Sequence, residues 1–474
     1  MNRYTYSLLL LFTSLVSFAQ SEDTVKNVLS FDDYYTIVIN NHPVIKQANL
    51  LPQQARQQLR LAKGAFDPKI EAKWDYKDLS DTNYWNLLDV GMKIPTWFPL
   101  DPKVGFERNR GDFVNQENFI DPKTNNEQIY AGISIPVGKG LFIDQRRAVV
   151  RQARLFQGMA EAEQVKEINK ALLNATKSYW EWYNAFENYR LMEQSISIAD
   201  DIFRRTKQAF DYGEAAMIDT VQAKISLQKR RIDFENAKIE KVKATLMLSN
   251  NLWNADGVPL DLADQVIPEE FLQITLEDSV LGELFVAARA NHPELMKLRL
   301  KQDALLIDQR LAKENLKPQV DLSYVLLDQP FSPVGGQSGL DLEDNFKVGV
   351  DFSFPIFLRK ERAKLKQTQF KMVDNQLAIS FSERRILNEI NSKYNVVLTT
   401  SRLIQQQQGM VNNYEIIVRA ERLNLTQGES DLFKLNAQLD KLIESKTKLF
   451  KLKSTYQKDI AELYWIAGIR NLGN

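Results

Sequence analysis

Two stretches of the chain alternate between apolar and polar side chains, and each begins just after a proline. After Pro68, every second residue of 70–76 is apolar or aromatic and the residues between them are charged. After Pro318, the same alternation runs through residues 320–326. A period of two predicts a β-strand with one apolar face and one polar face. A second alternating run follows in each case, at 130–136 and 346–355, so each half of the chain is predicted to contain two strands.

The apolar face of these strands has two interpretations. About ten residues with lipid on one side and water on the other are typical of a barrel strand in an outer membrane. An amphipathic strand in a soluble sandwich has the same pattern. The sequence around these strands shows no further segments that would form the hydrophobic core of a soluble sandwich, and this favours the barrel.

The remaining pattern is helical and unusually long. Arg147 and Gly213 are 66 positions apart, as are Arg362 and Gly428. At about 1.5 Å per residue each segment predicts a helix roughly 100 Å long, which indicates a coiled-coil rod. The helices that return from these rods carry apolar residues every seven positions, at Ile225, Ile232, Ile239 and Leu246 and at Leu435, Leu442, Leu449 and Tyr456.

The chain is an internal duplication. Residues 41–68 align without a gap with residues 291–318, and both segments contain the triplet Asn-His-Pro. Further along the offset falls to 215, where Gly213-Glu214 matches Gly428-Glu429. A repeat of this length is not a solenoid unit, whose period is on the order of 20 to 50 residues. Each half is predicted to form a short helix, a kink, a long helix, a strand, a loop, a strand, a very long helix, a turn and a long helix.

The predicted domains follow from this duplication. The first repeat occupies residues 20–250, a connecting segment occupies 251–279, and the second repeat occupies 280–474. The first repeat carries 31 extra residues between its strands, which read as an additional hairpin at about 80–125. This hairpin either enters the sheet or projects from it. We expect it to project, because the second repeat has no equivalent.

Residues 1–19 have the features of an export signal. A basic residue, an apolar run and the small residues Ser17 and Ala19 occur in that order, so Gln20 is expected to begin the mature chain. The apolar run is shorter than the roughly 20 residues that a membrane-spanning helix needs. If the exported chain crosses a membrane, we expect it to do so with strands.

Composition and motifs argue against catalysis. Lys and Arg together number 61, as do Asp and Glu, so no net field favours nucleic acid. Cysteine is absent, and the only histidines, His42 and His292, lie at predicted helix starts rather than in a metal site. There is no phosphate-binding loop, zinc spacing or nucleophile elbow. We therefore expect no enzymatic activity and no cofactor, and we expect the aromatic run 179–183 to pack between helices.

The signal peptide, the duplicated halves, the paired strands between long helices and the glycine-containing helical turns together resemble the TolC family of outer membrane efflux proteins. The resemblance covers about residues 28–468. It implies a mainly α fold with transmembrane β-strands and an internal two-fold repeat. Three protomers would each contribute four strands to a shared barrel of twelve, and their helices would form an α-barrel that reaches into the periplasm.

The resemblance also implies partners. The homotrimer would sit in outer membrane lipid, bind a periplasmic adaptor, and connect through it to an inner-membrane transporter. A second interpretation is a structural or adhesive rod that is anchored in the outer membrane and transports nothing. A rod has no use for a strand wall with a polar inner face, so the strands favour the channel.

The helical turns at the far end of the rods carry the expected site residues. Members of the family resemble the pattern Gly, an acid six residues on, and Ala four further, which Gly213, Asp219 and Ala223 match. In the second repeat the sixth residue is Lys434 and the alanine comes early, which suggests a one-residue deletion. The expected aperture residues are Asp219, Asp431, Glu214 and Glu429. The expected adaptor-docking residues are Tyr212, Gly213, Gln427 and Gly428.

Overall fold

A computed structural model describes residues 28–273, 276–277, 279–328 and 345–469. The predicted signal peptide, residues 1–19, lies outside the described residues. Within them the element order confirms the duplication: each half runs from short helices through strands into one very long helix and a shorter returning helix.

The elements of the first half are β1 (Val28–Leu29), α1 (Phe31–Asn41), α2 (Pro43–Ala48), α3 (Leu51–Lys63), β2 (Lys69–Leu79), β3 (Thr82–Lys93), β4 (Asp101–Arg110), β5 (Glu127–Pro136), α4 (Gln145–Asp211) and α5 (Met217–Ser249). The connecting segment contains β6 (Ile267–Pro268). The elements of the second half are α6 (Val280–Asn291), α7 (Pro293–Glu314), β7 (Gln319–Asp328), β8 (Phe346–Ser353), α8 (Arg359–Thr426) and α9 (Leu432–Ile466).

The strands β2 to β5, β7 and β8 form one antiparallel sheet in the order β2-β3-β4-β5-β7-β8. The expectation of four strands per chain, with the extra hairpin projecting from the sheet, is therefore wrong. Both strands of the hairpin, β3 and β4, lie between β2 and β5 and pair along their length. The described part of the chain contributes six strands to the sheet.

The pairing register explains why the hairpin belongs in the sheet. A single apolar row crosses all six strands, because each of its residues is the direct partner of the next: Ile70, Met92, Val104, Ala131, Leu326 and Phe346. Side chains alternate between the faces of a strand, so β3 and β4 add apolar residues to the same face as β2 and β5. The apolar residues of the inserted strands β3 and β4 thus lie on the same face as those of the flanking strands β2 and β5.

Tyr130 on β5 fixes the inserted strands from the opposite face. Its ring lies across Gly105 on β4 and Gly91 on β3, where an added Cβ would meet the tyrosine at 2.4 Å in both cases. Its hydroxyl donates a hydrogen bond to Asp89 Oδ1 at 2.9 Å. An aromatic ring laid over strand glycines is a known means of pinning register.

The β3–β4 turn is also attached to the helices. The ring of Trp97 lies 5.4 Å from that of Phe66, between centroids. The guanidinium groups of Arg151 and Arg154 on α4 each lie 5.9 Å from the Trp97 ring. Arg146 forms an ion pair with Asp101 at 3.3 Å. The hairpin is thus held at its helical end as well as along its strands.

The two rods have the predicted length, with 67 residues in α4 and 68 in α8. α4 packs against α5 and α9, and α9 packs against α8, so the helices lie in the order α5-α4-α9-α8. The two heptad stripes differ in their environment. On α9, Leu435, Leu449 and Tyr456 are buried within the chain. On α5, the isoleucine stripe is exposed, with Ile232 at 63%.

An aromatic core of the first half packs against the connecting segment. Tyr179, Trp180, Trp182 and Tyr183 are all buried, so the predicted packing role of this run is confirmed. The Tyr179 hydroxyl donates a hydrogen bond to the carbonyl oxygen of Leu29 on β1 at 2.8 Å. β1 in turn pairs with β6 from the connecting segment.

The histidine-containing kinks are helix starts. His42 is the N-cap of α2 and its Nδ1 accepts the Val44 N–H at 3.2 Å; His292 does the same for Glu294 on α7. In the first repeat Pro52 interrupts the helix, since proline has no N–H to donate, and α2 and α3 are separate. Among the described residues no group of three potential metal ligands occurs. No described helix is long and apolar enough to cross a membrane.

Candidate functional site

The turn between α4 and α5 is a Schellman motif closed by Gly213. Its N–H donates to the Phe210 carbonyl at 2.9 Å, and the Glu214 N–H donates to the Ala209 carbonyl at 2.8 Å. Gly213 has φ +77°, a conformation that glycine adopts at little cost and other residues avoid. Tyr212 before it is 82% exposed.

The turn between α8 and α9 has the same geometry. Gly428 has φ +76°, its N–H donates to Leu425 at 3.2 Å, and the Glu429 N–H donates to Asn424 at 2.9 Å. Gln427 caps α8 and is exposed, as is Glu429. All four residues expected to dock an adaptor therefore lie in the two turns that end the rods.

The returning helices begin at matching positions but are capped differently. α5 has Ala216 as its N-cap, and the Ala216 N–H donates to Asp219 Oδ2 at 3.2 Å. α9 has Asp431 as its N-cap, and Asp431 Oδ1 accepts the Lys434 N–H at 2.8 Å. The suggested deletion is wrong for the turn, because both N-caps still differ by the offset of 215. The acid has moved from the third helical position to the cap.

This exchange changes the charge at the two turns. Lys434 Nζ lies 3.6 Å from Asp431 Oδ2, so the second turn carries a cation beside its carboxylate. Asp219 forms no ion pair among the described residues and is only partly exposed. Glu214 and Glu429 are exposed on the turns themselves. The first turn therefore has the larger uncompensated negative charge.

A polar cluster behind the turns joins the two repeats, and no sequence pattern predicts it. Arg230 on α5 is 5% exposed and forms an ion pair with Asp440 on α9. Lys229 Nζ lies 2.9 Å from Asp440 Oδ2. Ser226 donates to Asn436 at 3.2 Å. Charged residues are common on long solvent-exposed helices, so only their packing in the structure distinguishes the residues of this cluster.

The charge of this cluster is reflected in the pKa of Asp440. Partial burial alone would raise it, but the hydrogen bonds and charges of Lys229 and Arg230 hold the pKa below its ordinary value. Asp440 is therefore an anion at neutral pH, and it neutralises a guanidinium that has little access to water.

Residues 35–252 and 284–468 match the outer membrane efflux protein family. The chain belongs to that family. The match divides into two segments that correspond to the two repeats. The sequence matches none of the curated proteins with significance.

Solved structures of similar fold are outer membrane channels. The CmeC outer membrane channel of Campylobacter jejuni is 14% identical, with a TM-score of 0.64, over 92% of this chain and 85% of that one. The outer membrane protein VceC of Vibrio cholerae is 14% identical, with a TM-score of 0.64, over 92% and 95%. The open-state MtrE outer membrane channel of Neisseria gonorrhoeae is 13% identical, with a TM-score of 0.61, over 92% and 88%. The fold of this efflux family member is thus that of the TolC-like channels.

Proposed function

We propose that this efflux family member is the outer membrane channel of a tripartite export system. It would pass substrates unchanged from the periplasm to the exterior, together with a periplasmic adaptor and an inner-membrane pump. The observation that carries the proposal is the sheet: an apolar row crosses all six strands, while the opposite face carries the lysines, carboxylates and amides. An apolar outside and a polar inside are what a water-filled wall in lipid needs.

The sheet supports assembly with further copies of the chain. β2 and β8 each have a strand on one side only in the described part of the chain. Open edges expose unpaired backbone groups, which lipid does not satisfy. Pairing β2 of one protomer with β8 of the next removes every open edge when the ring closes. Three copies would then supply eighteen strands rather than the twelve implied by the family resemblance.

The helices have matching open edges. α5 and α8 lie at the two ends of the helical layer and do not pack on each other within the chain. α5 presents apolar residues at a spacing of seven, each at least half exposed: Ile218, Ile225, Ile232, Ile239 and Leu246. α8 presents a similar exposed series at Val396, Leu403, Met410 and Ile417. Such seams are buried when helices pair as coiled coils, so we assign α5 of one protomer to α8 of its neighbour.

The helical turns are the proposed periplasmic end. Tyr212 and Gly213, with Gln427 and Gly428, would contact the adaptor, because exposed turns at the end of the rods are the surfaces that point away from the sheet. Asp219, with smaller contributions from Asp431, Glu214 and Glu429, would place carboxylates around the aperture. Rings of Asp or Glu favour the passage of cations.

The competing function is an anchored rod without transport. Purified full-length trimers in planar bilayers distinguish the two. A channel gives discrete single-channel steps whose frequency falls in the Gly213→Val/Gly428→Val variant if the tips control access. A folded trimer that inserts without any conductance, even after the tips are removed by proteolysis, would support the rod and contradict the proposal.

A further inference from the structure

Three lysines form a row across neighbouring strands on the polar face of the sheet. Lys69 on β2 is the direct partner of Lys93 on β3, and Lys93 is the direct partner of Lys103 on β4. All three side chains are exposed. Directly opposed residues in an antiparallel pair have Cβ atoms about 4.5 to 5.5 Å apart, and like charges there destabilise the sheet. The three paired lysines therefore repel one another and destabilise this part of the sheet.

The carboxylates of β3 and β4 on this face are already bound by other groups. Asp101, two residues from Lys103, forms an ion pair with Arg146 at 3.3 Å. Asp89 accepts the Tyr130 hydroxyl at 2.9 Å, and Glu107 accepts the Gln128 side-chain amide at 2.7 Å. A row of glycines covered by the Tyr130 ring separates Asp89 and Glu107 from the lysines. None of these three acids forms an ion pair with the row.

The remaining neighbours do not neutralise the row either. Glu71 lies two residues along β2 from Lys69 but not within ion-pair distance of it. Lys73, further along the same face, does have a carboxylate partner, Asp75 at 2.6 Å. Lys103 Nζ lies over the Tyr130 ring, 5.0 Å from its centroid, and forms no ion pair among the described residues. Among the described residues the row therefore keeps three uncompensated positive charges.

The row lies where the sheet meets the helices. Lys69 is the first residue of β2, Lys93 is the last of β3, and Lys103 is near the start of β4. The turn between β3 and β4 is attached to α4 through Trp97. Two of the three lysines lie on the inserted hairpin. In a trimer, nine such lysines would surround the passage from the helical tunnel into the sheet.

We propose that Lys69, Lys93 and Lys103 form an anion-binding row in the pore, which concentrates solutes carrying phosphate or carboxylate groups. The inference rests on the proposed channel function, because that function places the polar face toward water. Each ammonium offers three donors to an anionic oxygen, and lysine is a common phosphate ligand. A charged lining in a wall of low dielectric raises the local concentration of the opposite charge.

Cysteine labelling tests the row without requiring conductance. The chain has no cysteine, so the Lys93→Cys variant carries a single thiol between the other two lysines. The purified trimer is treated in parallel with an anionic sulfonatoethyl and a cationic trimethylammonioethyl methanethiosulfonate, and labelling is followed by mass spectrometry. At low salt, we expect the ratio of the anionic to the cationic labelling rate to be about tenfold higher at Lys93→Cys than for free cysteine. The preference should shrink at about 1 M salt.

Two controls define the source of any preference. Ser323→Cys places the thiol on the same face, two residues from Asp321 on β7, and should lack the anionic preference. Lys93→Cys combined with Lys69→Gln and Lys103→Gln should lose it. Equal reagent rates at Lys93→Cys, or a preference that survives the two glutamine substitutions, would overturn the inference.

A second measurement asks whether the row acts on solutes in the pore. Tripolyphosphate is added on the sheet side of channels in bilayers of neutral lipid, which removes lipid phosphate as a competing source of anion. Lys69→Gln/Lys93→Gln/Lys103→Gln should raise the half-blocking concentration about tenfold. Lys73→Gln/Lys77→Gln, which removes two charges further along the same face of β2, should change it little. Normal conductance with equal block in the triple and the double variant would overturn this inference alone, whereas a trimer that never conducts would contradict the proposed function.

Discussion

Arg230 on α5 and Asp440 on α9 form an ion pair that links the returning helix of the first repeat to the returning helix of the second. α5 and α9 make few other contacts, since each packs mainly on the long helix of its own repeat. Arg230 is almost fully buried, so its charge depends on this partner. The pair therefore connects the two helical hairpins a few turns behind their tips.

Removing the charge of Asp440 should loosen this connection. Asp440→Asn keeps a hydrogen-bond acceptor but replaces a charge-assisted bond by a neutral one, which we expect to cost about 1 kcal/mol. Hydrogen exchange of the α5 amides should accelerate at pH 7. Asp233→Asn is the matched control, because Asp233 lies 3.6 Å from Arg230 on the same helix and should matter less. Equal acceleration in both variants would contradict the role of the inter-repeat pair.

The ion pair of Arg230 with Asp440 predicts that the stability of the fold depends on pH. The pKa of Asp440 is held below its ordinary value of 3.8 in the folded chain. A carboxyl with a depressed folded pKa stabilises the fold above its unfolded pKa, and this contribution is lost as pH falls through the folded value. The difference in melting temperature between wild type and Asp440→Asn should therefore be full at pH 7, begin to shrink near the ordinary carboxyl pKa of 3.8, and vanish once the pH is below the folded pKa. A difference that persists in acid would show that it does not arise from the Asp440 charge.

The sequence predicts the periodic features of the fold because these are local. The period of two, the 66-residue rods and the glycine turns each require only a short stretch of chain to recognise. The place of the inserted hairpin depends instead on which strands lie beside it. Alternation in β3 and β4 is equally compatible with a projecting hairpin, and only the register with Ile70 and Ala131 decides between the two.

The heptad stripes also show that a local pattern does not identify the partner of an element. α5 and α9 both carry apolar residues every seven positions, yet Leu435 is buried within the chain and Ile232 is exposed. A heptad predicts that a helix has a partner, but not whether the partner lies in the same chain. The inter-repeat contact of Arg230 with Asp440 gave no signal in the sequence for a similar reason, because charged residues are frequent along both helices.

The exposed stripe on α5 gives a prediction about assembly. Ile232→Lys/Ile239→Lys places two charges in the seam that we assign to α8 of the neighbouring protomer. The variant should remain helical but lose the trimer, since buried unpaired charges oppose association. Glu240→Lys, on a neighbouring exposed flank of α5, should leave the trimer intact. Light scattering of the detergent-purified proteins measures the outcome, and a trimeric double variant would place the seam elsewhere.

The tip glycines give a prediction about docking. Gly213→Val/Gly428→Val forces a β-branched residue into a left-handed conformation, at a cost of roughly 1 to 2 kcal/mol for each turn. The space around both glycines is open, so the expected effect comes from the backbone rather than from a clash. Export in cells should be lost while trimers and membrane insertion remain.

The matched control for the tips is Gly409→Val. Gly409 lies inside α8, also with open space around it, but with an ordinary helical conformation. Valine is a better helix former than glycine, so this variant should export normally. Normal export by the double tip variant would argue against adaptor docking at the turns.

The two acidic tips should contribute unequally to ion selectivity. Asp219 has no cationic partner among the described residues, whereas Asp431 has Lys434 Nζ at 3.6 Å. In a trimer, three Asp219 carboxylates around the axis would attract cations, while the Asp431 charge would be partly cancelled. Asp219→Asn should therefore shift the reversal potential in a salt gradient toward lower cation selectivity, and weaken block by a trivalent cation, more than Asp431→Asn does. Asparagine still accepts the capping N–H of Ala216 or Lys434, so the helix starts are preserved and the comparison isolates charge. Equal reversal potentials for wild type and both variants would place the selective aperture away from these turns.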